Sequence, residues 1–403
     1  MIPSTPTSGN RSLRGDAEDF SLVLGGPVYQ LLCQSHLTDD ALGLVRQRMI
    51  VISSCCWLPL LLLSALEGKM LSGVAVPFLL DVEVHVRFLV AMPLLIVAEL
   101  LVHQRLRLVV KQFLAQDLIP ASAMPRFEAA ITAVFRLRDS VLAELLLFAF
   151  VYVVGILIVW RNYIAIDTAT WYATPSAEGS TLSLAGMWLG YLSLPVFQFL
   201  LFRWYFRIFI WARFLWQVSR IDLRVVPTHP DRASGLGFLS NSIYGFMPLL
   251  VAHGALLAGM IGDRIFYVGA KLPDFMIEIL MLVVSLICLV LGPLLVFSPQ
   301  LAEAKRTGNR EYGVLAGRYV REFDAKWLRG GAPADEPLVG SADIQSLADI
   351  GNSFEVVRTM RIVPFSRETV VQIVAATVVP VLPLLLTMMP LEELLQRLFG
   401  VVF

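Results

Sequence analysis

Seven apolar stretches constrain this chain more than any other feature: residues 49–66, 88–102, 141–160, 183–202, 243–262, 276–297 and 369–389. Hydrocarbon offers no partner to backbone N–H and C=O groups, so a crossing segment of about 20 apolar residues has to be helical. The second stretch is the shortest and holds Pro93, which predicts a kink or an extension into its flanks. Residues 71–80 are apolar but too short to cross. An outer loop, an interfacial segment and a re-entrant hairpin are all open to them. Composition agrees with this reading. Only 16% of the 403 residues are charged, against about 25% in soluble domains. That excludes disorder and an ordinary soluble enzyme. The 32 Lys and Arg balance 32 Asp and Glu, which excludes a basic nucleic-acid binder.

Charge placement sets the orientation. With the N-terminus inside, 26 Lys and Arg fall on the inner side and 6 on the outer, the asymmetry expected of cytoplasmic loops. The expected fold is an all-α integral membrane protein with about seven transmembrane helices, N-terminus cytoplasmic and C-terminus outside. Residues 1–48 form a cytoplasmic tail, the first 20 of them flexible. Residues 49–297 hold six spans with cytoplasmic segments 103–140 and 203–242. Residues 298–368 are a cytoplasmic helical segment, and 369–403 hold the last span and a short amphipathic end. Two short amphipathic helices are expected in 104–139, broken by Pro120 and Pro125. Tyr312, Leu315, Tyr319, Phe323 and Trp327 recur at helical spacing on one face. After a Gly/Pro linker at 330–340, Ile344, Leu347, Phe354 and Val357 mark a second amphipathic helix. Ser341 and Ser366 are expected N-caps.

Ionisable groups inside spans are costly and candidates for function. Glu99 and Glu144 lie toward the same, inner end of their helices. Two readings are open: a paired carboxylate site for a cation or proton, or carboxylates paired with an arginine such as Arg105, Arg107 or Arg138. His253 is central in the fifth span, where an interhelical hydrogen bond and a proton relay are the alternatives. Its neighbours Gly254, Ala258 and Gly262 form a small-residue stripe, and Gly186 with Gly190 forms a GxxxG. Both predict close packing of the fourth and fifth helices, on each other or on a second protomer. Arginines and aromatics from Arg203 to Arg220 read as an interfacial belt that meets anionic headgroups. Glu278 lies near the outer end of its span and is expected to reach water.

The string Pro227-Thr-His-Pro-Asp-Arg-Ala-Ser-Gly-Leu-Gly-Phe-Leu239 is the most unusual in the chain. His229, Asp231 and Arg232 are its candidate ligand contacts. Two metal-ligating types fall short of a site, and no Lys-Ser/Thr tail makes the glycines a phosphate loop. A Pro-Asp turn leading into a helix is the plainer alternative. Cys33, Cys55, Cys56 and Cys288 form no CxxC pair. No metal or cofactor is expected, and none of the standard catalytic motifs is present.

Residues 227–239, with Gly340-Ser-Ala-Asp-Ile-Gln-Ser-Leu-Ala-Asp349 and Val356-Val-Arg-Thr-Met-Arg-Ile-Val-Pro-Phe365, resemble a group of multi-pass bacterial inner-membrane proteins. The resemblance runs from about the fourth helix to the C-terminus. It implies a bacterial cytoplasmic membrane and no particular activity. The residues themselves leave three functions: a channel- or transporter-like role for an ion or small solute, a scaffold or sensory subunit with a membrane partner, and a membrane-embedded enzyme on a lipid-linked substrate.

Overall fold

The computed structural model describes residues 20–27, 29–30, 44–160, 169–176 and 179–388. Its described part is helical apart from one antiparallel hairpin, β1 (Ala173–Ser176) with β2 (Gly179–Leu182). Six helices are long and apolar enough to cross a membrane: α1 (Val45–Leu66), α2 (Val82–Ala115), α5 (Leu184–Val218), α6 (Gly237–Val268), α7 (Leu272–Leu328) and α9 (Arg367–Thr387). A seventh apolar helix, α4, starts at Val141 and is shorter, Val141–Gly155. Two more helices are polar or mixed: α3 (Met124–Arg138) and α8 (Ala342–Arg358). This is the helix inventory of a multi-pass membrane protein.

The helix ends follow local chemistry. Ser140, Ser183, Ser341 and Ser366 each accept a backbone N–H from the turn they precede, removing one of the amides a helix start leaves unpaired. Pro93 sits just after a widened turn, Val86–Ala91. There the missing proline N–H interrupts the ladder without ending α2. Pro380 and Pro383 act likewise in α9, whose second half, Val379–Thr387, tightens to a 3₁₀ helix. A 3₁₀ stretch at Gly292–Phe297, with Pro293, divides α7 into an apolar part and a polar arm.

α6 is the central helix, more buried than the other five, and packs against α2, α7 and α9. α1 and α4 flank it at a distance through α2 and α5. The connections fall at two ends. One, the strand end, carries 67–81, β1–β2 and the α6–α7 turn. The other, the arm end, carries α3, the loop 219–236 and the α7 arm with α8 folded against it.

Several expectations are corrected. Phe20–Val23, expected in the tail, are buried at the arm end, with Phe20 among Phe135, Trp211 and Phe214. Residues 1–19 and the expected amphipathic end beyond 388 lie outside the described residues. The first of the two short helices in 104–139 is instead the uninterrupted end of α2, because nothing breaks it before Gln116. Residues 67–81, where the sequence leaves three placements open, form an irregular segment at the strand end with a 3₁₀ turn at Phe78–Leu80: the Phe78 and Leu79 amides bond the Lys69 and Met70 carbonyls, and Val76 bridges to Thr170. On the arm, Tyr312, Tyr319, Phe323 and Trp327 are half-buried, Tyr319 and Trp327 bonding Asp343 of α8 and Tyr312 meeting Thr228, while Leu315 is 50% exposed. It sits off the expected face.

Candidate functional site

The strand end builds a carboxylate site from two distant segments. Asp81 precedes α2 and accepts the Val84 N–H (2.9 Å) and the Trp171 indole N–H (2.8 Å). Asp263, near the end of α6, accepts the Val82 N–H (2.9 Å) and the Glu83 N–H (3.0 Å). Two carboxylates therefore serve one helix N-terminus, whose free amides and positive dipole end attract negative charge. They also contact each other. Asp81 is 5% exposed, and burial pushes its carboxyl above the ordinary aspartate range. Glu83 pairs with Arg87 one turn on. A cavity of about 320 Å³ opens beside them, lined by Asp81, Glu83, Asp263, Thr170, Tyr172 and Tyr267. The Tyr267 hydroxyl closes one side by donating to the Leu80 carbonyl (3.0 Å). None of these carboxylates stands out in the sequence, since each lies at a span boundary. The local signal is an Asp directly before an apolar helix, the ordinary pattern of an N-cap.

Glu99 and Glu144 are both held by arginines, the second of the two expected readings, and the pairs seen involve Arg48, Arg203 and Arg207. Arg48 of α1 and Arg207 of α5 pair with Glu99, the latter at 2.7 Å. Arg203 reaches Glu144 at 3.2 Å and Glu99 at 3.8 Å. All five side chains are at most 9% exposed. Arg203 and Arg207 are four residues apart on one helix face, which brings both onto the same carboxylate. The network ties α1, α2, α4 and α5 together near the arm end. Gly26, at φ +88°, packs against it: a Cβ there would sit 3.1 Å from a Glu144 carboxylate oxygen. The belt expected from Arg203 to Arg220 is therefore split. Arg203, Trp204, Arg207, Trp211 and Phe214 are buried, while Arg213, Trp216 and Arg220 stay at the surface. Glu278 is exposed.

His253 is buried with both ring nitrogens engaged. Nδ1 donates to the Leu249 carbonyl (2.7 Å), and Nε2 accepts from the Tyr205 hydroxyl (2.7 Å). That assignment fixes the neutral tautomer from the partners' roles. The small-residue positions serve helices other than those expected. Gly254 abuts α9, where an added Cβ would lie 2.0 Å from the Thr377 carbonyl oxygen. Gly262 faces Leu384 and Val82, and Gly186 meets the Tyr172 backbone. Ala258 is buried in a cluster with Ile261, Leu272 and Val381, and Gly190 is buried in α5. Of the two expected alternatives, packing on each other or on a second protomer, the first is met only by side-chain contacts such as Trp204–Phe246 and Tyr205–His253.

The loop at 227–239 is a clasp. The Asp231 carboxylate accepts the amides of Ala233 (2.8 Å), Gly235 (3.1 Å) and Gly237 (2.8 Å), and His229 Nδ1 lies 2.9 Å away. Burial raises this carboxyl, but the three amides and His229 outweigh it and hold it below the ordinary aspartate range. Arg232, Ser234 and Gly235 adopt positive φ, the conformation that aims successive amides inward. Arg361 fastens the loop from the segment after α8: its guanidinium donates to the Asp231 carbonyl (2.9 Å), and its backbone N–H donates to the Arg232 carbonyl (2.7 Å). The 227–239 loop and the segment after α8 are thus in direct contact. Among the described residues no group of three or more His, Cys, Asp and Glu is placed to hold a metal.

Comparison with known proteins yields no match to a family description, to a curated protein or to a solved structure.

Proposed function

We propose that the protein is a seven-span transporter- or channel-like component of a bacterial cytoplasmic membrane that handles a proton or small cation. In this reading the N-terminus and the arm lie in the cytoplasm, and the strand end faces outward. The lysine and arginine asymmetry supports that orientation, and α4 is the seventh span. The resemblance of residues 227–239 and 340–365 to multi-pass bacterial proteins fits the same membrane. The observation that carries the reading is the strand-end cavity, where Asp81 and Asp263 meet beside Glu83. Glu99, Glu144 and His253, the earlier candidates, are committed to internal partners and serve the frame. The test is ion and proton flux into liposomes holding the purified protein, wild type against Asp263→Asn. Flux that depends on Asp263 supports the proposal, and absence of flux from the wild type counts against it.

A second reading, a scaffold or sensory subunit, is favoured by the arm. Val314, Leu315, Val320, Leu328 and Ile344 are 46–70% exposed on an otherwise polar helix pair, an arrangement suited to a protein partner. Extraction in mild detergent discriminates: a stoichiometric partner lost on Val320→Asp favours the scaffold.

A further inference from the structure

α2 and α6 cross tightly at Gly245, where an added Cβ would lie 3.1 Å from the Val102 Cα and 3.5 Å from the Arg105 Cβ. Next to this crossing, toward the arm end, a cavity of about 210 Å³ opens between the last turns of α2 and the first turn of α6. Its polar lining is Arg105, Lys111, Gln112 and Asn241, and its apolar wall includes Leu108 and Ala115. Two basic and two carboxamide residues line it, and among the described residues no acidic side chain does. The Arg105 guanidinium is further held 5.9 Å over the Tyr244 ring. Such a donor set matches a phosphate group: guanidinium and ammonium supply charge, and amide N–H₂ groups supply directed hydrogen bonds. Depth points the same way. Val102 and Ile243 are the expected limits of the second and fifth apolar stretches, so the cavity lies where headgroups meet hydrocarbon. Leu108, 56% exposed, provides an apolar surface beside it along which an acyl chain can run.

We propose that this wedge binds a phosphate group, supplied by a membrane phospholipid headgroup. The proposal is independent of the carboxylate cavity at the strand end. It gives the inner face of the bundle a defined lipid site between α2 and α6, the pair that packs most extensively.

The test uses the full chain, delipidated in detergent and offered three probes: phosphatidylglycerol, phosphate-free galactosyl diacylglycerol, and inorganic phosphate. Bound ligand is counted by native mass spectrometry and by equilibrium dialysis. Arg105→Gln/Lys111→Gln is the test variant, and Arg318→Gln on the exposed arm is the control. Removing two charged donors is expected to weaken phosphatidylglycerol binding by about tenfold or more, with the control and the melting temperature unchanged. Variant-sensitive binding of inorganic phosphate, without lipid retention, keeps the phosphate site and assigns it to a free ligand. Arg105→Gln alone, at an exposed residue, serves if the double variant unfolds. Phosphatidylglycerol and phosphate held equally by wild type and variants would overturn the proposal. So would retention of the galactosyl lipid with the same variant dependence.

Discussion

Asp263 caps the helix that begins at Val82, 181 residues earlier, by accepting its backbone N–H at 2.9 Å. The end of α6 is thereby tied to the start of α2. Substituting a capping side chain by Ala typically costs about 1 kcal/mol, whereas Asn keeps one of the two accepting oxygens. Asp263→Ala is therefore expected to lower thermal stability in detergent measurably, and Asp263→Asn to lower it less. Equal losses would show that charge, rather than capping, holds the strand end together.

The arginine–glutamate network predicts unequal effects for its two carboxylates. Glu99 meets three guanidiniums, whereas Glu144 lies within ion-pair distance of Arg203, so Glu99→Gln takes a carboxylate away from Arg48, Arg203 and Arg207 together. Breaking a buried pair from one side typically costs about 3–5 kcal/mol. Thermal unfolding should show Glu99→Gln as the more damaging change and Glu144→Gln as the milder one. Similar losses for both would contradict the geometry.

Two aspartates outside the spans respond to pH with opposite sign. Asp231 is held below its ordinary range. Its contribution to stability is present above the unfolded-state value, about 3.9, and is lost as pH falls through the lower folded value. Asp81 is raised. Its contribution is complete below the unfolded value and is lost as pH rises through the higher folded value. Hydrogen exchange across a pH series should therefore show the amides of Gly235 and Gly237 opening on acidification. The Val84 end of α2 should open as pH rises through the Asp81 value. Parallel behaviour of both regions would contradict this assignment.

Glycine positions give a steric prediction. Gly254→Ala forces a methyl group to 2.0 Å from a backbone oxygen of α9, whereas the nearest atom to a methyl at Gly262 is a Leu384 side-chain carbon at 3.6 Å. Overpacking of the first kind costs about 1–3 kcal/mol. The melting temperature should fall for Gly254→Ala and stay nearly constant for Gly262→Ala.

The six long apolar helices were legible in the sequence because each apolar run carries its own length and hydropathy, and so were the caps at Ser341 and Ser366. Partner choice was not. Glu99 reads as a carboxylate needing a cation, but selecting Arg48, Arg203 and Arg207 over Arg105, Arg107 and Arg138 depends on how far each helix is rotated about its axis. The Arg203/Arg207 spacing of four residues was the available clue. The strand-end site was hidden more deeply. Asp81 and Asp263 look like ordinary boundary residues, and only the fold places them on one helix N-terminus. The small-residue stripes announced close contacts without stating with which helix.

The most direct test of the account is proton and cation flux in liposomes, comparing wild type with Asp263→Asn and with Glu278→Gln, an exposed carboxylate elsewhere on the bundle. Loss of one charged ligand group should reduce flux at limiting ion concentration by about tenfold in Asp263→Asn, while Glu278→Gln conducts as the wild type does. A folded Asp263→Asn protein with undiminished flux, or a folded wild type with none, would contradict it.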